Sequence, residues 1–129
     1  MIKSTAYKVY WAGRYLERIE NIARFGVYFA EKGIPIEDMN KILGIDDVFS
    51  YLFNEFKILR EDIRAFGDEA SINALSALEA SIYAKNNDLK SYFMNVLNSA
   101  LYVLNVIEEN LKPKSISIMP KKQEEIRSQ

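Results

Sequence analysis

Apolar residues recur three and four positions apart along four stretches of the chain, the period of amphipathic helices. The first stripe reads Val9, Ala12, Leu16, Ile19, Ala23, Val27 and Ala30. Ser4 or Thr5 is its candidate cap, and Gly33 and Pro35 are its stop signals. At about 1.5 Å per residue such a helix is a rod of roughly 40 Å. A second flank of Trp11, Tyr15, Ile22, Gly26 and Phe29 widens the stripe, and Tyr7 and Phe25 lie farther round. A helix this apolar on several sides is expected to be central, or to be covered by another subunit.

Residues 33–47 predict a connector with a short helix of its own, Pro35 suiting its first turn and Gly44 its C-terminal cap. Asp46 or Asp47 then caps a second long helix reaching Phe66, with Val48, Leu52, Phe56, Leu59 and Ile63 on one face. Gly67 and Asp68 form a stop and a start. The helix that follows carries Ile72, Leu75, Leu78 and Ile82, with alanines beside them that allow close approach of a neighbour. Asn86, Asn87 and Asp88 mark the next turn. The last helix shows Leu89, Phe93, Val96, Ala100, Val103, Ile107 and Leu111 and stops before Pro113.

Short links between long helices predict antiparallel neighbours. The expected fold is therefore all-α: an antiparallel up-and-down four-helix bundle over residues 1–111, with a short extra helix in the first connector. Residues 112–129 read as an irregular C-terminal tail, in which Ser115 to Met119 alternates polar and apolar positions.

Composition narrows the chemistry. A chain of 129 residues is long enough to bury a core without covalent staples. The net charge of −1 gives no positive field to gather a polyanion, so nucleic acid is not an expected partner. Cysteine and histidine are both absent, which removes disulfides, thiolate nucleophiles, the commonest general base and the usual zinc ligands. No apolar run approaches the roughly 20 residues that span a bilayer. A cytoplasmic protein without membrane association, metal or cofactor is the expectation.

The densest polar grouping lies on the first helix: Arg14, Glu17, Arg18, Glu20, Asn21 and Arg24. Glu17, Asn21 and Arg24 share a face with Arg14 close by, whereas Arg18 falls apart from them, beside Tyr7 and Phe25. The plain account is a solvated face laced by ion pairs worth a few tenths of a kcal/mol each. Glu20, however, borders the apolar stripe, where an unpaired carboxylate is costly, so it is expected to be paired. Tyr10 and Tyr28 also sit on the polar side, a mix suited to covered or ligand-facing surfaces. Glu17 and Glu20 alone are too few for a metal site, and no nucleophile stands beside them, so no catalytic residue is assigned.

The run from Tyr10 to Arg24, YWAGRYLERIENIAR, resembles the signature of the alpha-E domain family. The matching positions are Trp11, Gly13, Arg14, Tyr15, Glu17, Arg18, Glu20, Asn21 and Arg24; apart from Gly13, these are the candidate binding residues. The resemblance implies a helical domain that occurs with ATP-grasp-type ligases and transglutaminase-like or related peptidases, in a system that makes or processes amide or peptide bonds. It brings no catalytic role. Gly13 costs roughly 1 kcal/mol against Ala inside a helix, so a close helix contact is expected there. The leading expectation is a non-catalytic interaction module that also binds itself, as a dimer. The alternative is an enzyme or enzyme subunit with a carboxylate and arginine site on the first helix.

Overall fold

Three of the helix starts are written in aspartate. Asp47 accepts from the Ser50 amide at 2.9 Å and Asp68 from the Ser71 amide at 2.9 Å, while Asp88 accepts from the Lys90 amide at 3.2 Å. Each satisfies a backbone donor that the first turn leaves without a helical partner. The structure is a computed structural model describing residues 2–85 and 87–113, and the tail expected beyond Pro113 lies outside the described residues. Five helices form: α1 (Lys3–Glu31), α2 (Ile36–Leu43), α3 (Val48–Arg64), α4 (Glu69–Tyr83) and α5 (Leu89–Leu111). No strand occurs among the described residues.

Three termini differ from expectation, α3 ending at Arg64, two residues short of Phe66. The cap of α1 is Ile2, with no side-chain hydrogen bond, and Ser4 and Thr5 lie inside the helix. Pro35 is the N-cap of α2 rather than its first helical residue. The glycine stops behave as their chemistry requires. Gly33 and Gly44 take positive φ values of 73° and 71°, a region glycine enters without the strain of a side chain.

The long helices pack as a helical bundle. α1 lies against α3 and α5, and α4 lies against α5 and α3, with α2 resting on the start of α3. Asn40 fixes that last junction, its side-chain oxygen accepting from the Val48 amide at 2.9 Å. The core is continuous through all five helices: Leu16, Ile19 and Ala23 of α1 meet Met39, Leu52, Leu59, Leu78, Phe93 and Val103. Burying a Leu, Ile or Phe of this kind stabilises the fold by roughly 1.5–3 kcal/mol. Tyr92 is buried among them and donates its hydroxyl to the Ile82 carbonyl at 2.7 Å, joining α5 to α4. Burial pushes this phenol up to about 12.

The wide apolar arc of α1 is covered within the chain. Ile22 and Phe29 are buried and Trp11 is half-buried. The close helix contact expected at Gly13 occurs instead at Gly26. A Cβ at Gly26 would overlap the ring of Phe93, whereas one at Gly13 would meet nothing within 4 Å. The two glycines therefore have opposite expected responses to alanine. Gly26→Ala should lower unfolding free energy by about 1–3 kcal/mol through overpacking, and Gly13→Ala should raise it by up to about 1 kcal/mol. Urea denaturation of both variants checks this; a neutral Gly26→Ala contradicts the packing.

Candidate functional site

Folding divides the polar grouping of α1 among three directions. On the outer face, Arg14, Glu17 and Asn21 are exposed, as are Tyr7 and Tyr10 before them and Tyr28 after them. Arg18 reaches toward α3 over the Tyr15 ring, and Trp11 is half-buried between Tyr10 and Tyr15; Glu20 is buried at the margin of the core, with Arg24 exposed above it. The eight candidate residues thus do not converge on one pocket.

The outer face is built on aromatic rings and cations. Trp11 sits at 5.3 Å from Tyr10 edge-on and at 5.8 Å from Tyr15. The Arg14 guanidinium stands 5.8 Å over the Tyr10 ring and 5.6 Å over Trp11, and Lys32 stands 5.6 Å over Tyr28. Each such contact holds a long cationic side chain against a ring that remains open to water. Tyr7, Tyr10 and Tyr28 are 64%, 56% and 53% exposed, far more than a core role would leave them.

Arg18 stands apart from Arg14, Glu17 and Asn21, and its partner lies on another helix: its Nη1 donates to Glu55 Oε1 of α3 at 3.4 Å, and its guanidinium lies 4.9 Å over the Tyr15 ring. Lys8 makes a parallel tie, its Nζ 3.6 Å from Asp62 Oδ1. Glu55 and Asp62 are both buried carboxylates on α3, and the sequence reading gave neither a partner on α1. Their signal was available only as acids placed beside the apolar stripe of α3.

Glu20 is paired as expected, with Arg24 Nη1 at 3.5 Å from its Oε1. Burial raises the pKa of Glu20, and the neighbouring Arg24 only partly offsets that, with Glu17 adding repulsion. Burial likewise raises Asp62 against the pull of Lys8, and Asp62 Oδ2 has no hydrogen-bond partner among the described residues. On the other flank of α1, Val9, Gly13 and Leu16 face Leu104, Ile107 and Leu111 across an apolar cleft of about 330 Å³. The bare backbone at Gly13 opens that cleft. Among the described residues no three carboxylates gather into a metal-binding group.

These electrostatics have measurable consequences. Arg18→Met leaves Glu55 buried without its partner and should cost about 1–2 kcal/mol, the solvent access of the arginine moderating the loss. Adding Glu55→Gln should recover most of it, and equal stability of wild type and Arg18→Met would contradict the tie. Glu20 and Asp62 bind protons more tightly folded than unfolded, so their contribution is greatest when protonated and is lost as pH rises through their raised folded values. Asp68 and Asp88 are held below the usual range by hydrogen bonds from Ser71 and Ser91, and their contribution is lost as pH falls. Lowering the pH from about 7 to about 5 should therefore hold or raise Tm, with a fall below about pH 4 as the caps protonate. Glu20→Gln with Asp62→Asn should flatten the upper limb; a steep fall of wild-type Tm between about pH 7 and 5 is the contrary result.

Comparison with known proteins places a family name on the same helix. No curated protein matches the chain, and no solved structure matches it. No helix among the described residues is long and apolar enough to cross a membrane. Residues 1–32 match the family model of Alpha-E, described as a predicted alpha-helical domain with a conserved ER motif. Within that segment the Glu-Arg step is Glu17-Arg18, one residue exposed on the outer face and the other tied to α3. Over residues 1–32, which comprise α1 and its two ends, this chain is similar to the Alpha-E domain.

Proposed function

We propose that the protein is a non-catalytic helical interaction module that uses the outer face of α1 to bind other proteins. The observation that carries this reading is the row of solvent-exposed tyrosines interleaved with Arg14, Glu17 and Asn21, inside the segment similar to Alpha-E. Tyrosine and arginine are enriched among the residues that contribute most at protein interfaces, tyrosine bringing large contact area with few rotors to freeze and arginine a planar fork of donors. The partner follows from the resemblance: an ATP-grasp-type ligase or a transglutaminase-like protein, in amide or peptide bond metabolism. The module also binds itself, as a dimer. Neither nucleic acid nor membrane is a partner in this reading, and the cytoplasm is its location.

The scaffold taken for this role is an antiparallel up-and-down four-helix bundle. Its support lies in contacts that run in opposite senses along neighbours. Lys8 reaches Asp62 and Arg18 reaches Glu55 between α1 and α3. Phe53 stacks on Tyr83 and Arg60 pairs with Glu79 between α3 and α4. Ser81 bonds Ser99 between α4 and α5, and Glu31 pairs with Lys90 between α1 and α5.

The alternative, an enzyme or enzyme subunit with a carboxylate and arginine site, draws on the buried Glu20 beside Arg24. Arg14 and Glu17, its other members, stand exposed on the outer face, which favours recognition over catalysis.

Pull-down of an ATP-grasp-type ligase or transglutaminase-like protein encoded next to this chain tests the reading. Capture is expected for wild type and for Glu20→Gln, and a loss of about tenfold or more for Tyr10→Ala combined with Tyr28→Ala. Absence of capture, or capture indifferent to both tyrosines, would overturn it.

A further inference from the structure

One set of exposed positions on α1 forms a seam with the spacing of a coiled coil. From Lys3 to Tyr28 they fall alternately four and three residues apart, and every one of them is exposed. This second stripe lies opposite the buried one, so α1 has a seam for the core and another facing water. Its chemistry is unlike that of a solvated helix face, because tyrosine rings stand on both sides of its central charges.

We propose that a second copy of this chain covers the seam, α1 packing antiparallel on α1 about a two-fold axis between Arg14 and Glu17. This rests on the interaction reading above: the second copy is the self-partner named there, it exchanges on this face with the other protein partner, and the register is specified here. A two-fold contact must be self-complementary, each residue i facing j while j faces i. In the proposed register Arg14 faces the Glu17 of the second copy, twice by symmetry. Tyr10 faces Asn21, Tyr7 faces Arg24, and Lys3 faces Tyr28. The central pairs join opposite charges, and the outer pairs set a cation against a tyrosine ring.

The neighbouring registers fail on the same sequence. In an antiparallel seam, registers that keep the layers aligned differ by seven residues. A shift one way places Arg14 against Arg24, like against like. A shift the other way leaves Arg24 and Tyr28 without a facing residue. Only the register centred between Arg14 and Glu17 combines opposite charges with full overlap of the seam. Within the monomer, neither Glu17 nor Arg14 enters an ion pair among the described residues; Arg14 has a 3.4 Å hydrogen bond to the Tyr10 hydroxyl and lies over the Tyr10 and Trp11 rings. Both are available to a second copy.

Charge reversal tests the register. Sedimentation velocity on the full chain, across roughly 1–100 µM, should show a monomer–dimer equilibrium. Arg14→Glu sets two acids together at each central pair, and Glu17→Arg sets two bases together, so each should weaken dimerisation by about tenfold or more. The double variant Arg14→Glu, Glu17→Arg restores opposite charges and should return Kd to within about threefold of wild type. Both residues are exposed, and circular dichroism melts of each variant verify that the fold persists.

A wild-type monomer throughout that range overturns the inference, as does a dimer that ignores the single reversals or is not rescued by the double one. The pull-down separates this from the broader reading. A monomer that captures its partner through the tyrosines leaves the interaction module standing without the self-contact. A rescued dimer that captures no ligase or peptidase leaves the self-contact standing and removes that partner.

Discussion

Leu16, Ile19 and Ala23 are sealed from water because α3 and α5 close over the same side of α1. That burial is the constraint on which the remaining features depend. It needs close approach, which Gly26 permits by leaving room for the Phe93 ring. It also draws charged groups at the margins of the contact out of bulk water, so each must find a counter-charge. Lys8 with Asp62, Arg18 with Glu55 and Arg24 with Glu20 meet that requirement along the two edges of the helix. The two that cross to α3 secure the placement of α1 more than they add to stability, since each keeps one partner in contact with solvent, whereas Arg24 serves Glu20 within α1 itself.

The same placement decides which residues of α1 stay in water. One side is spent on the core and its margins carry ion pairs, and the outer face remains exposed. There the tyrosines, Arg14, Glu17 and Asn21 are held on a rigid rod and need no ordering before contact. A flexible segment bearing the same side chains would lose that advantage to conformational entropy. The Glu-Arg step of the segment similar to Alpha-E stands at the boundary between the two faces. Arg18 serves the inner architecture, and Glu17 is presented outward.

Much of the architecture was legible because it is local. Asp47, Asp68 and Asp88 act on amides two or three residues away, Gly44 sets the end of its own helix, and the apolar stripes encode which side of each helix is buried. Glu20 was also readable, since its angle beside Leu16 and Ala23 demanded a partner. What escaped were choices made across space. Periodicity placed Arg18 on the back of α1 and could not foresee Glu55 reaching it from another helix. It could not tell which of Gly13 and Gly26 would lie under a neighbour, because that depends on where Phe93 falls along α5. Nor could it tell that α1 would begin at Lys3, before Ser4 and Thr5 could cap it.

The contact between Gly26 and Phe93 reports the burial of α1 most directly, and proton NMR reads it in the native chain. A helix laid on the ring predicts Gly26 Hα resonances displaced by the ring current of Phe93, with nuclear Overhauser contacts between those protons and the ring. Gly26 Hα protons at ordinary helical shifts, without contacts to Phe93, would contradict the account.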